Sequence, residues 1–275
     1  VLGHDRAVDA LCTGGFTLDI PFSPTAVREL AKMDGAIVLD RDGSHIHRAN
    51  VHLAPDPNIP TIETGTRHRT AERVARQTQS PVISVSKSMH SIAIYVGEIR
   101  YVVEDSAQIL SRANQALATL ERYRSRLDEV ANSLSALEIE DLATVRDVAT
   151  VAQRLEMVSR IATEVEGYVL ELGIDGRLLS LQLEELVSGV DAERLLVARD
   201  YAPVDVSPEE VLSRLAILDQ ATLVDVPVVA AALGMVATEP LDTPVHPRGH
   251  RIVSRIPRLP GAIADRLVER MGTLQ

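Results

Sequence analysis

Hydrophobic and polar positions alternate on two different periods along this chain. In the first hundred residues, "AVDALC", "FTLDI", "GAIVLD", "HIHRANVHLA", "PVISVS", "SIAIYV" and "IRYVV" are short, rich in β-branched residues and bounded by turns, so each is expected to be a strand. Two segments between them follow a helical period. "SPTAVRELAKM" offers Ser23 as N-cap and Pro24 at the first helical position. "TRHRTAERVARQT" is entered from Gly65 and ends before Pro81. Strands interleaved with helices predict an α/β layer architecture. The long, proline-rich "APDPNIPTIETG" ahead of the second helix has the composition of a loop placed for function.

At about Asp105 the period changes. The chain runs to Gly167 almost without Gly or Pro, and Ile109, Ala113, Ala116, Leu120 and Leu127 recur at helical spacing. "RLLSLQLEELVSG", "DAERLLVARDY", "SPEEVLSRLAIL" and "VPVVAAALGM" read as further helices, so the second domain is expected to be all-helical. "EPLDTPVHPRG" has the composition of a linker. The expected domains are therefore 1–104, 105–243 and 244–275. The abrupt opening "VLGHDRAVDALC", read as strand from its start, suggests a first domain missing a preceding segment.

Composition narrows the possibilities. A length of 275 residues suits more than one domain, and a net charge of −11 argues against the whole surface coating nucleic acid or anionic membrane. The last stretch departs from this. Arg248, Arg251, Arg255, Arg258, Arg266 and Arg270 face only Asp265 and Glu269 there. A single Cys12 excludes an intrachain disulfide framework and, with no signal peptide or membrane-length apolar run, points to the cytoplasm and to no membrane partner. Lys32 and Lys87 are the only lysines, so Arg supplies nearly all the positive charge.

The common nucleotide and hydrolase signatures, a Walker loop, G-x-G-x-x-G, C-x-x-C, H-E-x-x-H and G-x-S-x-G, are all absent. Two other stretches have chemistry. In "GTRHRT", Gly65 permits close backbone approach and the following helix start presents unpaired N–H donors. Arg67 and Arg69 can fork onto phosphate oxygens, His68 can donate one more bond, and Thr66 and Thr70 add hydroxyls. The same spacing also suits a basic solvated helix braced by an i, i+4 pair of Glu72 and Arg76. In "DGA", Asp34 at a strand start is either a turn residue or a carboxylate able to hold Mg²⁺ or Mn²⁺ and take a proton from a hydroxyl.

Taken together, "MDGAIVL", "ANVHLAPDPNIPTIETGTRHRTAERVARQT" and "PVISVS" resemble the diadenylate cyclase domain. "ILSRANQALATLERYRSRLDEV" and "IPRLPGAIADRLVERMGTLQ" extend the resemblance, over nearly the whole chain, to the bacterial DNA integrity scanning family. The resemblance implies an N-terminal α/β cyclase domain with a mixed sheet flanked by helices, then an all-helical domain, then part of a helix-hairpin-helix module. It implies condensation of two ATP into cyclic di-AMP and two pyrophosphates across a face-to-face dimer, using Mg²⁺ or Mn²⁺, within an octamer that senses branched, Holliday-junction-like DNA in DNA damage and repair.

Residue by residue, the resemblance gives Asp34 the catalytic and metal-binding role. Gly35 lets ribose approach the backbone, and Leu53 lines the adenine pocket. Thr66, Arg67, His68, Arg69, Thr70 and Ser86 meet the phosphates. Where some relatives have a metal-binding carboxylate two positions beyond that serine, this chain has Ser88. Arg258, Leu259, Pro260 and Gly261 form the hairpin expected to meet DNA backbone, with His246 and His250 as exposed non-ligands. The rival is a DNA-branch-binding scaffold whose cyclase fold is idle. Without the resemblance, the chain reads as an α/β nucleotide-binding module with a helical oligomerisation arm.

Overall fold

A computed structural model describes residues 1–86, 91–235 and 240–271. It divides into two compact units, Val1–Asp105 and Ser106–Gln275. In the first unit the elements are α1 (Arg6–Leu11), β1 (Cys12–Thr13), β2 (Phe16–Pro21), α2 (Pro24–Leu30), β3 (Ala36–Leu39), β4 (His45–Leu53), α3 (Thr66–Thr78), β5 (Val82–Ser86), β6 (Ser91–Val96) and β7 (Ile99–Val103).

Six of the seven expected strands form. The exception is "AVDALC", which is α1. Asp5 caps it by accepting from the Val8 N–H at 2.9 Å, and Val8 and Leu11, three apart, turn one face inward. The cap and the i, i+3 spacing outweigh the apolar run that suggested a strand. Ser23 and Pro24 start α2 as expected, with the Ser23 hydroxyl accepting from the Ala26 N–H at 3.1 Å.

β4 is the centre of one antiparallel sheet, pairing with β1, β2 and β3. β5, β6 and β7 form a second, with Val82 opposite Tyr95, Ser84 opposite Ala93 and Ser86 opposite Ser91. An isolated parallel bridge joins Leu2 to Leu39. α3 sets His68, Ala71, Glu72 and Ala75 along one buried stripe and packs on β5 and β6. Val38, Val51, Val74 and Val82 belong to the core beneath it.

The second unit contains α4 (Ser106–Glu140), α5 (Val145–Leu172), a 3₁₀ turn, α6 (Arg177–Val187), α7 (Val190–Tyr201), α8 (Pro208–Ile217), α9 (Gln220–Leu223), α10 (Val226–Ala232), α11 (His250–Ser254) and α12 (Gly261–Met271). Ile109, Ala113, Leu120 and Leu127 are buried, as their spacing predicts, and α5 is the hub against α4, α6, α7 and α10. No helix among the described residues is long and apolar enough to cross a membrane.

The basic C-terminal stretch is fastened to this helical body. Asp200 accepts backbone N–H bonds from Gly249, His250 and Arg251 at 2.9, 2.6 and 2.8 Å and so caps α11. The Arg251 side chain is wholly buried, 2.5 Å from Glu138 and 2.7 Å from Glu193. Burial pushes the Glu138 and Asp200 carboxyls upward, and Arg251 and these N–H donors oppose the rise. His246 is exposed as expected and meets Asp141 at 2.7 Å. His250 is not exposed. Its side chain is 11% accessible and faces Asp265 at 3.5 Å, because the capping of α11 by Asp200 draws the helix start inward. Arg258, in a left-handed conformation, and Leu259 and Pro260 form the turn between α11 and α12, which begins at Gly261.

Candidate functional site

The DGA and RHR stretches come together. Asp34 lies two residues before the start of β3, Arg67 is in the first turn of α3, and Arg67 Nη2 donates to Asp34 Oδ1 at 2.6 Å across 33 positions of sequence. Both side chains are largely exposed, so solvent screens the pair and it contributes little to stability. Such a pair is easily exchanged for a ligand.

Gly35 is required by the fold at this point. Its φ is +136°, and a Cβ would lie 2.8 Å from the Asn50 backbone, where Asn50 itself takes a left-handed kink in β4. Ribose access is therefore not the only demand on this glycine. Gly35→Ala is expected to destabilise the first unit by about 1–3 kcal/mol, measured by denaturant unfolding.

The N-cap of α3, Gly65, has no side chain to accept from the first-turn N–H groups, which are left uncapped. Thr66, Arg67 and Arg69 are exposed around that turn, and Thr70 is half-buried. The preceding loop is tied back to the same helix. Thr61 donates to the buried Glu72 carboxylate, Arg73 Nε to the Ile59 carbonyl at 2.9 Å, and Arg76 to the Pro60 carbonyl at 3.0 Å. The Glu72–Arg76 pair also forms, at 2.9 Å. The i, i+4 brace and an open helix start coexist, so one does not replace the other.

His68 lies inside, 3% exposed, with Nδ1 3.0 Å from the Tyr95 hydroxyl. Its Nε2 is buried without a partner among the described residues, as are the Ser84 and Ser91 hydroxyls on the inward face of β5 and β6. Buried polar atoms without partners are uncommon and mark places where a ligand or water completes the bonding. Ser86 is buried on that same face, and Leu53 ends β4 packed against the core. Ser88 lies outside the described residues.

Sequence reasoning missed Glu63, Tyr95 and Arg100. Tyr95 donates to Glu63 at 2.9 Å, and Glu63 pairs with Arg100 on β7. The available signal was a tyrosine at the inward position of an otherwise aliphatic strand, since a buried phenol needs a polar partner.

Among the described residues no three metal-ligating side chains cluster. One exposed carboxylate beside an uncapped helix start does fit Mg²⁺, which is commonly held by one or two carboxylates together with substrate phosphates.

Residues 1–99 match the family model described as the DisA bacterial checkpoint controller nucleotide-binding region, and residues 103–241 match the DisA bacterial checkpoint controller linker region. The chain is 62% identical over 279 residues to the DNA integrity scanning protein DisA of Frankia alni, covering all of this chain and 78% of that protein. The namesake from Kineococcus radiotolerans is 63% identical with the same coverage, and that from Streptomyces coelicolor 61% identical over 75% of its length. The chain belongs to the DisA family. Its first unit is the DisA nucleotide-binding domain, so the Asp34–Arg67 contact lies in a nucleotide-binding fold. Its helical unit contains the DisA linker region.

Proposed function

We propose that this DisA-family protein is a diadenylate cyclase that condenses two ATP into cyclic di-AMP. The observation that supports this best is the meeting of Asp34 and Arg67, which places a proton acceptor beside a phosphate-gripping cation. Arg67 and Arg69, the open start of α3, Thr66 and Thr70 bind and orient the triphosphate, with His68 and Ser86 beneath them. Leu53 and the end of β4 contribute to the adenine pocket, and Gly35 lets the ribose approach the backbone.

In each half-reaction the 3′-oxygen of one ATP forms a bond to the α-phosphorus of the other. The bond from that phosphorus to the α–β bridging oxygen breaks, and pyrophosphate departs with the electron pair. Asp34 accepts the proton of the attacking hydroxyl. Mg²⁺ or Mn²⁺, held by Asp34 and the substrate phosphates, would supply charge neutralisation. One nucleotide-binding unit holds one ATP, so a symmetric product requires two units facing about a two-fold axis. Leu170, Ile174 and Leu178, exposed around the α5–α6 turn, suit further self-association, up to the octamer that the family resemblance implies.

The turn Arg258–Leu259–Pro260–Gly261 and the exposed Arg255, Arg266 and Arg270 are the part of this chain suited to backbone contacts with branched DNA. A cytoplasmic setting belongs to the same proposal, in line with the single Cys12. The decisive experiment incubates the purified protein with ATP and Mg²⁺ or Mn²⁺ and identifies the nucleotides by mass. Cyclic di-AMP with pyrophosphate is expected. Bound but unconverted ATP would favour the idle scaffold.

A further inference from the structure

Behind the first turn of α3 runs a chain of polar side chains from three elements and a loop. Tyr95 on β6 is 1% exposed. Its hydroxyl lies 3.0 Å from His68 Nδ1 and 2.9 Å from Glu63 Oε1, and Glu63 is ion-paired with Arg100. Donor directions follow from what each group can offer. A carboxylate paired with guanidinium only accepts, so Tyr95 gives its one hydrogen to Glu63. The phenol oxygen is then left as an acceptor, and His68 must bring the hydrogen at Nδ1.

Burial, reinforced by the bond to Glu63, pushes Tyr95 up to about 12, so its hydroxyl keeps that hydrogen through the neutral range. The bond with Tyr95, then the neighbouring Glu63 charge, raises Arg100 and keeps the far end cationic. We propose that Arg100, Glu63 and Tyr95 are positioning residues that lock His68 in its Nδ1–H tautomer, leaving the Nε2 lone pair as the ring's free valence at the nucleotide site. Nε2 is the ring atom that is buried with no partner. Facing the nucleotide with a lone pair, His68 accepts from a hydrogen donor or binds a cation on the triphosphate. It does not act as the hydrogen donor that the RHR spacing suggests. A histidine ligand whose second ring nitrogen is held by an outer partner is a recurring arrangement, and removing that partner typically costs 10–100-fold.

The nature of the ligand rests on the cyclase reading; the tautomer does not. The test uses the full chain, labelled with ¹⁵N, and long-range proton–nitrogen correlations of the His68 ring, assigned against His68→Asn. A protonated Nδ1 and a bare Nε2 are expected, with the preference weakened in Tyr95→Phe. In parallel, ATP affinity is measured by calorimetry in a double-mutant cycle. Tyr95→Phe is expected to weaken ATP binding by about tenfold, and by less than about twofold once His68 is Ala, since the relay acts through that ring. A hydrogen on Nε2 in the unmodified protein, or an undiminished Tyr95→Phe effect in the His68→Ala background, would overturn the proposal. Should the unmodified protein fail to bind ATP, the cyclase reading falls while the nitrogen shifts still judge the relay. Should Tyr95→Phe not fold, the spectrum of the unmodified protein decides alone.

Discussion

Asp34→Asn is expected to bind ATP and make almost no cyclic di-AMP. Asn matches Asp in size and keeps one oxygen for Arg67, now without the charge, so the RHR turn loses none of its phosphate donors. What disappears is the only group at this position able to take the proton of an attacking 3′-hydroxyl. Loss of a positioned general base lowers turnover by about 10²–10⁴-fold. Measured without a divalent cation, the dissociation constant for ATP should hold or fall, because Arg67 no longer has a carboxylate competing with phosphate; with Mg²⁺ the lost metal ligand opposes that gain. Mass analysis of products beside calorimetry with ATP separates the two effects. Equal loss of both would make Asp34 a binding residue and remove it from the chemistry.

The largest effect on stability is expected from Arg251→Met. The substitution keeps much of the apolar stem but strips the counter-charge from Glu138, which is itself completely buried, and leaves Glu193 only the more distant Arg255 at 3.7 Å. Breaking a buried pair by removing one partner costs about 3–5 kcal/mol, because the remaining charge has neither water nor a mate. Adding Glu138→Gln should restore a good part of that loss, since the amide stays polar without demanding a cation. Urea unfolding followed on the helical unit distinguishes these outcomes. A Met variant as stable as the original would show that this network contributes nothing net.

Much of the site could be read from residue order. DGA and RHR each suggest one function of the proposed phosphoryl-transfer centre, and Gly65 with the run after it marks the start of α3 to the residue. The helical half was legible because Ile109, Ala113, Leu120 and Leu127 repeat a single period on a chain nearly free of breakers. Other features depend on contacts between distant residues. Nothing around Tyr95 in sequence reveals Glu63, and only the pairing of β6 with β7 brings Arg100 to the same carboxylate. Arg251 looks like one more member of a basic, DNA-facing tail, yet three-dimensional packing spends it on Glu138. α1 was misread for a local reason, the helix cap offered by Asp5.

The mutual engagement of Asp34 and Arg67 also shapes how a nucleotide first meets the protein. A tetra-anionic triphosphate approaching from solution senses the summed field of the entrance, and an arginine already neutralised by a carboxylate adds almost nothing to that field at a distance. Among the described residues Arg69 enters no such pair, so long-range attraction falls mainly to that one guanidinium and to the dipole of α3. Arg67 acts late, when phosphate is near enough to displace the carboxylate. On the cyclase reading proposed above, encounter and commitment are thereby separated in time, and the carboxylate set free at the second stage is the base that the condensation would then need.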